Sequence, residues 1–148
     1  MYDKILLPTD MSKGVDEAIE HAVEASNQYG AELHVLYVVD ADAYSSYPGD
    51  EYVHEFEGLE KALETSGQEA VGEITDLADG EGVETTTAIK YGVPHEEILK
   101  YVDEEDVDHV FIGSKKRPGE YRRLLGSVAD RVVNMSEVPV TVVKTEIQ

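Results

Sequence analysis

Hydrophobic positions along the chain fall into two alternating patterns, short continuous apolar runs and longer stretches with an apolar residue every third or fourth place. Lys4–Pro8 is a short apolar run closed by proline and predicts a buried strand. Val15, Ala18, Ile19, Ala22 and Val23 lie on one face of a helix that Ser12 can cap, with Asp16 and Glu17 in its first turn and Gly30 as its stop. Glu32–Val39 has almost no alternation, as expected of a strand buried on both faces. Asp40–Val53 has no period and is expected to be a loop. Phe56, Leu59, Leu63, Ala70, Ile74 and Leu77 then recur at helical spacing up to Asp79-Gly80, with Gly67 and Gly72 weakening the middle.

The second half repeats the alternation. Glu84–Ile89 predicts a β-branched strand, and Gly92-Val93-Pro94 breaks it and opens a helix carrying Ile98, Leu99 and Val102. Val107–Ile112 predicts a strand, Leu124–Val133 a short helix, and Val138–Lys144 a last strand rich in valine. The order β-α-β-α-β-α-β-α-β predicts an α/β fold, a five-stranded parallel sheet with helices on both faces, doubly wound by right-handed crossovers. No repeat or linker divides the chain, so residues 1–148 are expected to form a single domain.

Composition narrows the chemistry. The chain has 32 acidic against 12 basic side chains, a net charge of −20, which disfavours a general surface for nucleic acid or an anionic membrane. Such acidity, scattered along the whole chain, leads us to expect a halophilic protein adapted to a salty cytoplasm; a plainly soluble acidic surface is the alternative. Cysteine is absent, which removes disulfides, thiol catalysis and thiolate metal sites. No apolar run reaches membrane-spanning length, and the N-terminus lacks the order of a signal peptide, so no membrane partner and a cytoplasmic setting are expected.

Open parallel sheets take ligands at the carboxyl ends of the strands where strand order reverses, which directs attention to the loops after the first and fourth strands. The first, Pro8-Thr9-Asp10-Met11-Ser12, is neither a dinucleotide fingerprint nor a Gly-x-x-x-x-Gly-Lys-Ser/Thr phosphate loop. The second runs from Ile112 to Val128 and has an unusual charge. Residues 113–131 hold Lys115, Lys116, Arg117, Arg122, Arg123 and Arg131 against Glu120 and Asp130, a local balance of +4. The remaining 129 residues therefore carry −24, so half of all basic residues gather at this one edge. Glycines at 113, 119 and 126 allow close backbone approach, and Gly126-Ser127 opens a helix whose N-terminal N–H groups suit a phosphate. A solvated basic loop with a Ser127/Asp130 capping box accounts for the same residues.

These residues resemble the universal stress proteins of the UspA type. The resemblance rests on Lys-Ile-Leu-Leu-Pro-Thr-Asp at the start, the Gly-x-Pro turn at Gly92–Pro94, Leu-Leu-Gly-Ser-Val at 124–128 and Val-Pro-Val-Thr-Val-Val-Lys at the end. It implies an adenine-nucleotide α-hydrolase-like domain with strand order 3-2-1-4-5. The ATP-binding branch carries Gly-x-x-Gly, nine residues, then Gly-Ser/Thr; Gly113 and Gly126-Ser127 match it, while Lys116 stands at the second glycine. A lysine there adds a β-carbon, costing about 1–2 kcal/mol if φ must be positive, and also adds a cation near the phosphates. By the same resemblance Pro8, Thr9 and Asp10 line the base and ribose end and Val38 offers backbone contacts to the base. Ile112, Gly113, Lys115 and Lys116 face ribose and phosphates, and Gly126, Ser127, Val128 and Ala129 hold the phosphate tail. Asp10 also reads as a helix cap, and Val38 as core.

The expected cofactor is ATP or another adenine nucleotide, with Mg²⁺ drawing on oxygens near Asp10 and Ser127. The resemblance further implies a homodimer through Val138–Lys144, whose valine-rich edge needs cover. His21, His34, His54, His95 and His109 show no ligand spacing, and no metal site is expected. No nucleophile–base set is legible, so no catalytic residue is expected, and hydrolysis of ATP is expected to be slow at most. Tyr44, Tyr47 and Tyr52 are read as anchors of the long loop. The competing function is a nucleotide-free dimeric interaction module of the same fold.

Overall fold

The computed structural model describes residues 2–9, 15–40, 53–116 and 127–146. Among these residues nine elements follow in the anticipated order: β1 (Lys4–Thr9), α1 (Val15–Tyr29), β2 (Glu32–Asp40), α2 (Val53–Gly80), β3 (Thr85–Gly92), α3 (Pro94–Glu104), β4 (His109–Lys116), α4 (Ser127–Met135) and β5 (Val140–Glu146). The strands form one parallel sheet in the order β3-β2-β1-β4-β5. The chain winds outward from β1 to β3, returns across the sheet through α3, and continues outward through β4 and β5. Strand order therefore reverses between β1 and β4.

Strand alternation sends odd and even positions to opposite faces. Ile5, Leu7, Leu33, Val35 and Phe111 pack with Ala18 and Ala22 of α1 and Val71 and Ile74 of α2. Leu6, Leu36, Val110 and Ile112 pack instead with Ile98 and Val102 of α3 and Ala129 and Val132 of α4. Both faces of the central strands are thus covered, which is why β2 shows no polar alternation.

The element ends are set by identifiable residues. Gly30, at φ 66°, lets the chain leave α1, with the Ala31 N–H donating to the Ser26 carbonyl at 2.9 Å. Gly92 takes φ 152°, a conformation open to glycine, immediately before Val93 and Pro94 begin α3.

Several predicted boundaries move. β3 runs through Lys90 and Tyr91 to Gly92, since its whole length pairs with β2 up to Asp40 opposite Gly92. β4 begins at His109 and extends to Lys116, because β5 pairs with it as far as Glu146. Gly113-Ser114-Lys115-Lys116, expected in a loop, is therefore strand. α4 begins at Ser127 and β5 at Val140, each later than expected. α2 runs unbroken through Gly67 and Gly72. Gly67 does not weaken it by exposure: it is buried, and the aromatic ring of Tyr37 lies directly over its α-carbon.

Candidate functional site

The two strands at the reversal stop pairing before their carboxyl ends. Among the described residues, β1 and β2 pair along six positions, from Lys4 opposite Glu32 to Thr9 opposite Tyr37. β1 and β4 pair at Ile5 opposite His109 and Leu6 opposite Val110. Beyond Leu6 the β1–β4 ladder ends, with Pro8 and Thr9 following in β1 and Ile112 and Gly113 in β4; a crevice is expected to open there.

The sheet brings several expected site residues together. Ile112 and Ala129 are buried in the same cluster, and Val38 and Val128 pack against it half-buried. Four residues from β2, β4 and α4 thus meet on the α3–α4 side of the sheet. Ala129 and Val132 seat α4 on that face, so its first turn starts beside the end of β4. The first N–H groups of a helix lack partners within it and carry the positive end of the dipole. Thr9 is buried, but its odd position turns it toward the α1–α2 side, away from Val38 and Ile112.

Lys115 and Lys116 close β4 opposite Thr145 and Glu146. Extended strand geometry is available to every L residue, so the positive-φ cost considered for Lys116 does not arise. Asp10 and Gly126 lie outside the described residues, as do Arg117, Arg122, Arg123 and the tyrosines at 44, 47 and 52. Arg131 belongs to a different neighbourhood: its Nη1 stands 3.4 Å from His95 Nδ1 at the start of α3. Asp130 turns along α4, where Asn134 Nδ2 donates to its Oδ1 at 3.2 Å and to its carbonyl at 2.8 Å.

Away from the crevice, the histidines placed in strands serve the core. His34 is 2% exposed, and its Nδ1 lies 2.6 Å from the Tyr101 hydroxyl. Its Nε2 lies 2.7 Å from Glu32 Oε1, close but outside hydrogen-bond alignment. Thr86 donates its hydroxyl to the same carboxylate oxygen at 2.7 Å. His109, 7% exposed, shares a 2.7 Å hydrogen bond between Nε2 and Thr141 Oγ1 and stacks beside Tyr2 and Phe111. Among the described residues, no three His, Asp or Glu side chains are placed to hold a metal ion.

Burial sets the titration of this network. It pushes His34 below the ordinary imidazole value, partly opposed by the Glu32 charge, and it lowers His109 as well. The Tyr101 phenol is raised to about 12, again chiefly by burial. Glu32 is held below the usual carboxylate value, first by the Thr86 hydroxyl; burial opposes this, and His34 and Lys4 beside it add smaller lowering effects. As pH falls through about 6.5, the unfolded chain takes up protons that the folded imidazoles refuse. Stability is therefore full above that pH and declines below it, and Glu32 adds a loss in the same direction in the carboxylate range. The urea midpoint is expected to be lower at pH 5.5 than at pH 7.5, with His34→Gln and His109→Gln each flattening the difference. Equal midpoints at the two pH values would show that neither imidazole is held neutral.

Sequence reasoning marked Pro8 only as a lining residue. Its side of β1, toward β4, is fixed by the register and carries no mark in the linear chain.

Comparison with known proteins agrees with this architecture. The universal stress protein family profile matches residues 1–144. The universal stress protein MJ0531 of Methanocaldococcus jannaschii is 35% identical over 144 residues, covering 97% of this chain and 83% of that protein. The universal stress protein MJ0577 of the same organism is 33% identical over 155 residues, covering 97% and 96%. The MJ0577 structure superposes with a TM-score of 0.84, at 30% identity over 100% of this chain and 99% of that one. Two further proteins share the fold at 18% identity, a universal stress protein in complex with cAMP (TM-score 0.64, 97% of each chain) and one from Archaeoglobus fulgidus in complex with dAMP (TM-score 0.64, 97% and 98%). With its five-stranded sheet, its reversal between β1 and β4, and a family match over nearly its whole length, the chain belongs to the universal stress protein family.

Proposed function

We propose that this chain binds an adenine nucleotide, with ATP the first candidate, in the crevice between β1 and β4, and acts as a small cytoplasmic stress-response protein. The observation supporting this reading is that Val38 of β2, Ile112 of β4 and Val128 and Ala129 at the start of α4 share one cluster beside the strand-order reversal between β1 and β4. Half the basic residues of a chain with net charge −20 fall in residues 113–131 of the sequence, Lys115 and Lys116 at the end of β4 among them. Phosphate charge is favoured there by the helix N-terminus and by the lysines closing β4. The cAMP and dAMP complexes belong to proteins that share only the fold, and adenine use by this chain is part of the proposal. Mg²⁺, where it accompanies ATP, would draw oxygens from Asp10 and Ser127. In this reading ATP is a ligand that orders the loop after β4, and its hydrolysis is slow or absent.

Strand geometry at Lys116 favours a lysine that pairs with phosphate over one that blocks it. Lys116→Gly is then expected to weaken ATP binding about tenfold, as loss of a charge-assisted contact of about 1.5 kcal/mol would. Mass spectrometry of nucleotide released from freshly purified, denatured protein tests the reading, with ATP titration calorimetry in high salt beside it. Stoichiometric adenine nucleotide or micromolar affinity supports it. No nucleotide and no heat would leave the nucleotide-free interaction module, and tighter binding by Lys116→Gly would show that the side chain obstructs the site.

The same proposal includes a homodimer through β5. This strand is the outermost of the sheet beside β4, and Val140, Thr141 and Val142 are only half-buried in the single chain. An unpaired valine-rich edge calls for cover, which a second copy of β5 supplies. Sedimentation equilibrium should return twice the 16.4 kDa chain mass. No helix among the described residues is long and apolar enough to cross a membrane.

A further inference from the structure

We propose that Pro8 keeps the crevice open by ending the hydrogen-bond ladder between β1 and β4, a positioning role that rests on the nucleotide reading above. In a parallel strand, the N–H and C=O of one residue point to the same neighbour, and successive residues alternate between neighbours. The Asp3 carbonyl accepts from the Glu32 N–H at 2.9 Å, so odd positions of β1 face β2. Lys4 does the reverse: its carbonyl accepts from the Asp108 N–H at 2.9 Å, the backbone bond that sets the parity, while Asp108 Oδ2 accepts from the N–H groups of both Asp3 and Lys4. Even positions of β1 therefore face β4, and Pro8 is an even position.

On the other strand, the Val110 N–H donates to the Pro139 carbonyl at 3.0 Å, toward β5, which leaves the odd positions of β4 facing β1. With Leu6 opposite Val110, the next ladder bond would run from the N–H of position 8 to the carbonyl of Phe111. Proline has no N–H. The pairs between β1 and β4 stop at Leu6, whereas β1 continues to pair with β2 through Thr9. A proline at an odd position would have broken the β2 side instead. The side on which the sheet opens is thus chosen by the parity of one residue.

The test restores the missing donor while keeping the apolar bulk. In Pro8→Val the new amide at position 8 is expected to exchange at least a hundredfold more slowly than a free amide and to show scalar coupling to the Phe111 carbonyl. ATP affinity, read by calorimetry, is expected to fall at least tenfold. Ile5→Val, which trims the same strand without adding an N–H, should leave affinity within about twofold. Free exchange at position 8 would overturn the proposal, and so would a closed ladder with unchanged affinity. If the unaltered chain binds no nucleotide, the functional reading fails on that result alone; the amide measurement still decides whether Pro8 ends the ladder.

Discussion

Gly67→Val is expected to lower the melting temperature by about 6–12 °C, the equivalent of roughly 3 kcal/mol in a domain of this size. A β-carbon at Gly67 would stand 2.7 Å from Cε1 and 2.9 Å from Cγ of Tyr37, well inside contact distance. The ring cannot swing aside cheaply, because Tyr37 is buried in the cluster formed by the sheet with α1 and α2. Gly72 is the internal control. It lies in the same helix, where a β-carbon would meet nothing within 4 Å, so Gly72→Ala should stabilise by about 0.5–1 kcal/mol through helix propensity alone. Opposite signs for two glycines five residues apart would establish that the ring contact, not backbone freedom, governs Gly67. In the double variant Gly67→Val with Tyr37→Ala, the combined loss should be smaller than the two single losses added. Full additivity would mean the two positions do not touch. Tyr37 also stands opposite Thr9 in the β1–β2 register, so a displaced ring is expected to disturb the crevice end of β1 as well.

Salt should produce the second large effect. With a net charge of −20 on 148 residues, repulsion among carboxylates opposes the compact state at low ionic strength. The Debye length falls from about 10 Å at 0.1 M salt to about 3 Å at 1 M, which removes most of that repulsion between exposed groups. An exposed pair offsets little of it: Lys100 and Glu104 stand 3.9 Å apart on α3, both largely exposed. Such a pair contributes little. We expect the melting temperature to rise by more than about 5 °C between 0.1 and 3 M KCl, or roughly 1–3 kcal/mol. Sucrose, which favours burial without screening charge, separates the electrostatic part from general exclusion effects. A flat response to KCl would remove the salt-adapted reading and leave the acidity as a means to solubility.

Much of this fold is written locally. Val15, Ala18, Ile19, Ala22 and Val23 announce α1 because a helix brings residues three and four apart onto one face, and Leu33 to Val39 announce a buried strand because both faces need apolar cover. Gly30 and Gly92-Val93-Pro94 punctuate the chain through backbone conformations that the residue types themselves favour. The spacing from Gly113 to Gly126-Ser127, the concentration of basic charge, and the resemblance they carry are equally features of the linear chain.

Strand ends were less legible. A strand stops where its partner stops, and the partner of β4 lies some 30 residues further on, so Gly113–Lys116 joined the sheet rather than a loop. The candidate site divides along the same line. The family resemblance carried by motif and spacing named Pro8, Val38, Ile112 and Ala129 from the sequence, since it depends only on the linear order of residues. Which of them share a face, that Thr9 turns to the opposite one, that Gly67 gives room to a ring 30 positions earlier, and that Pro8 points at β4 rather than β2 were decided by register and packing. Those are relations between distant segments, and they exist only once hydrogen bonds and side-chain volume have set the strands side by side.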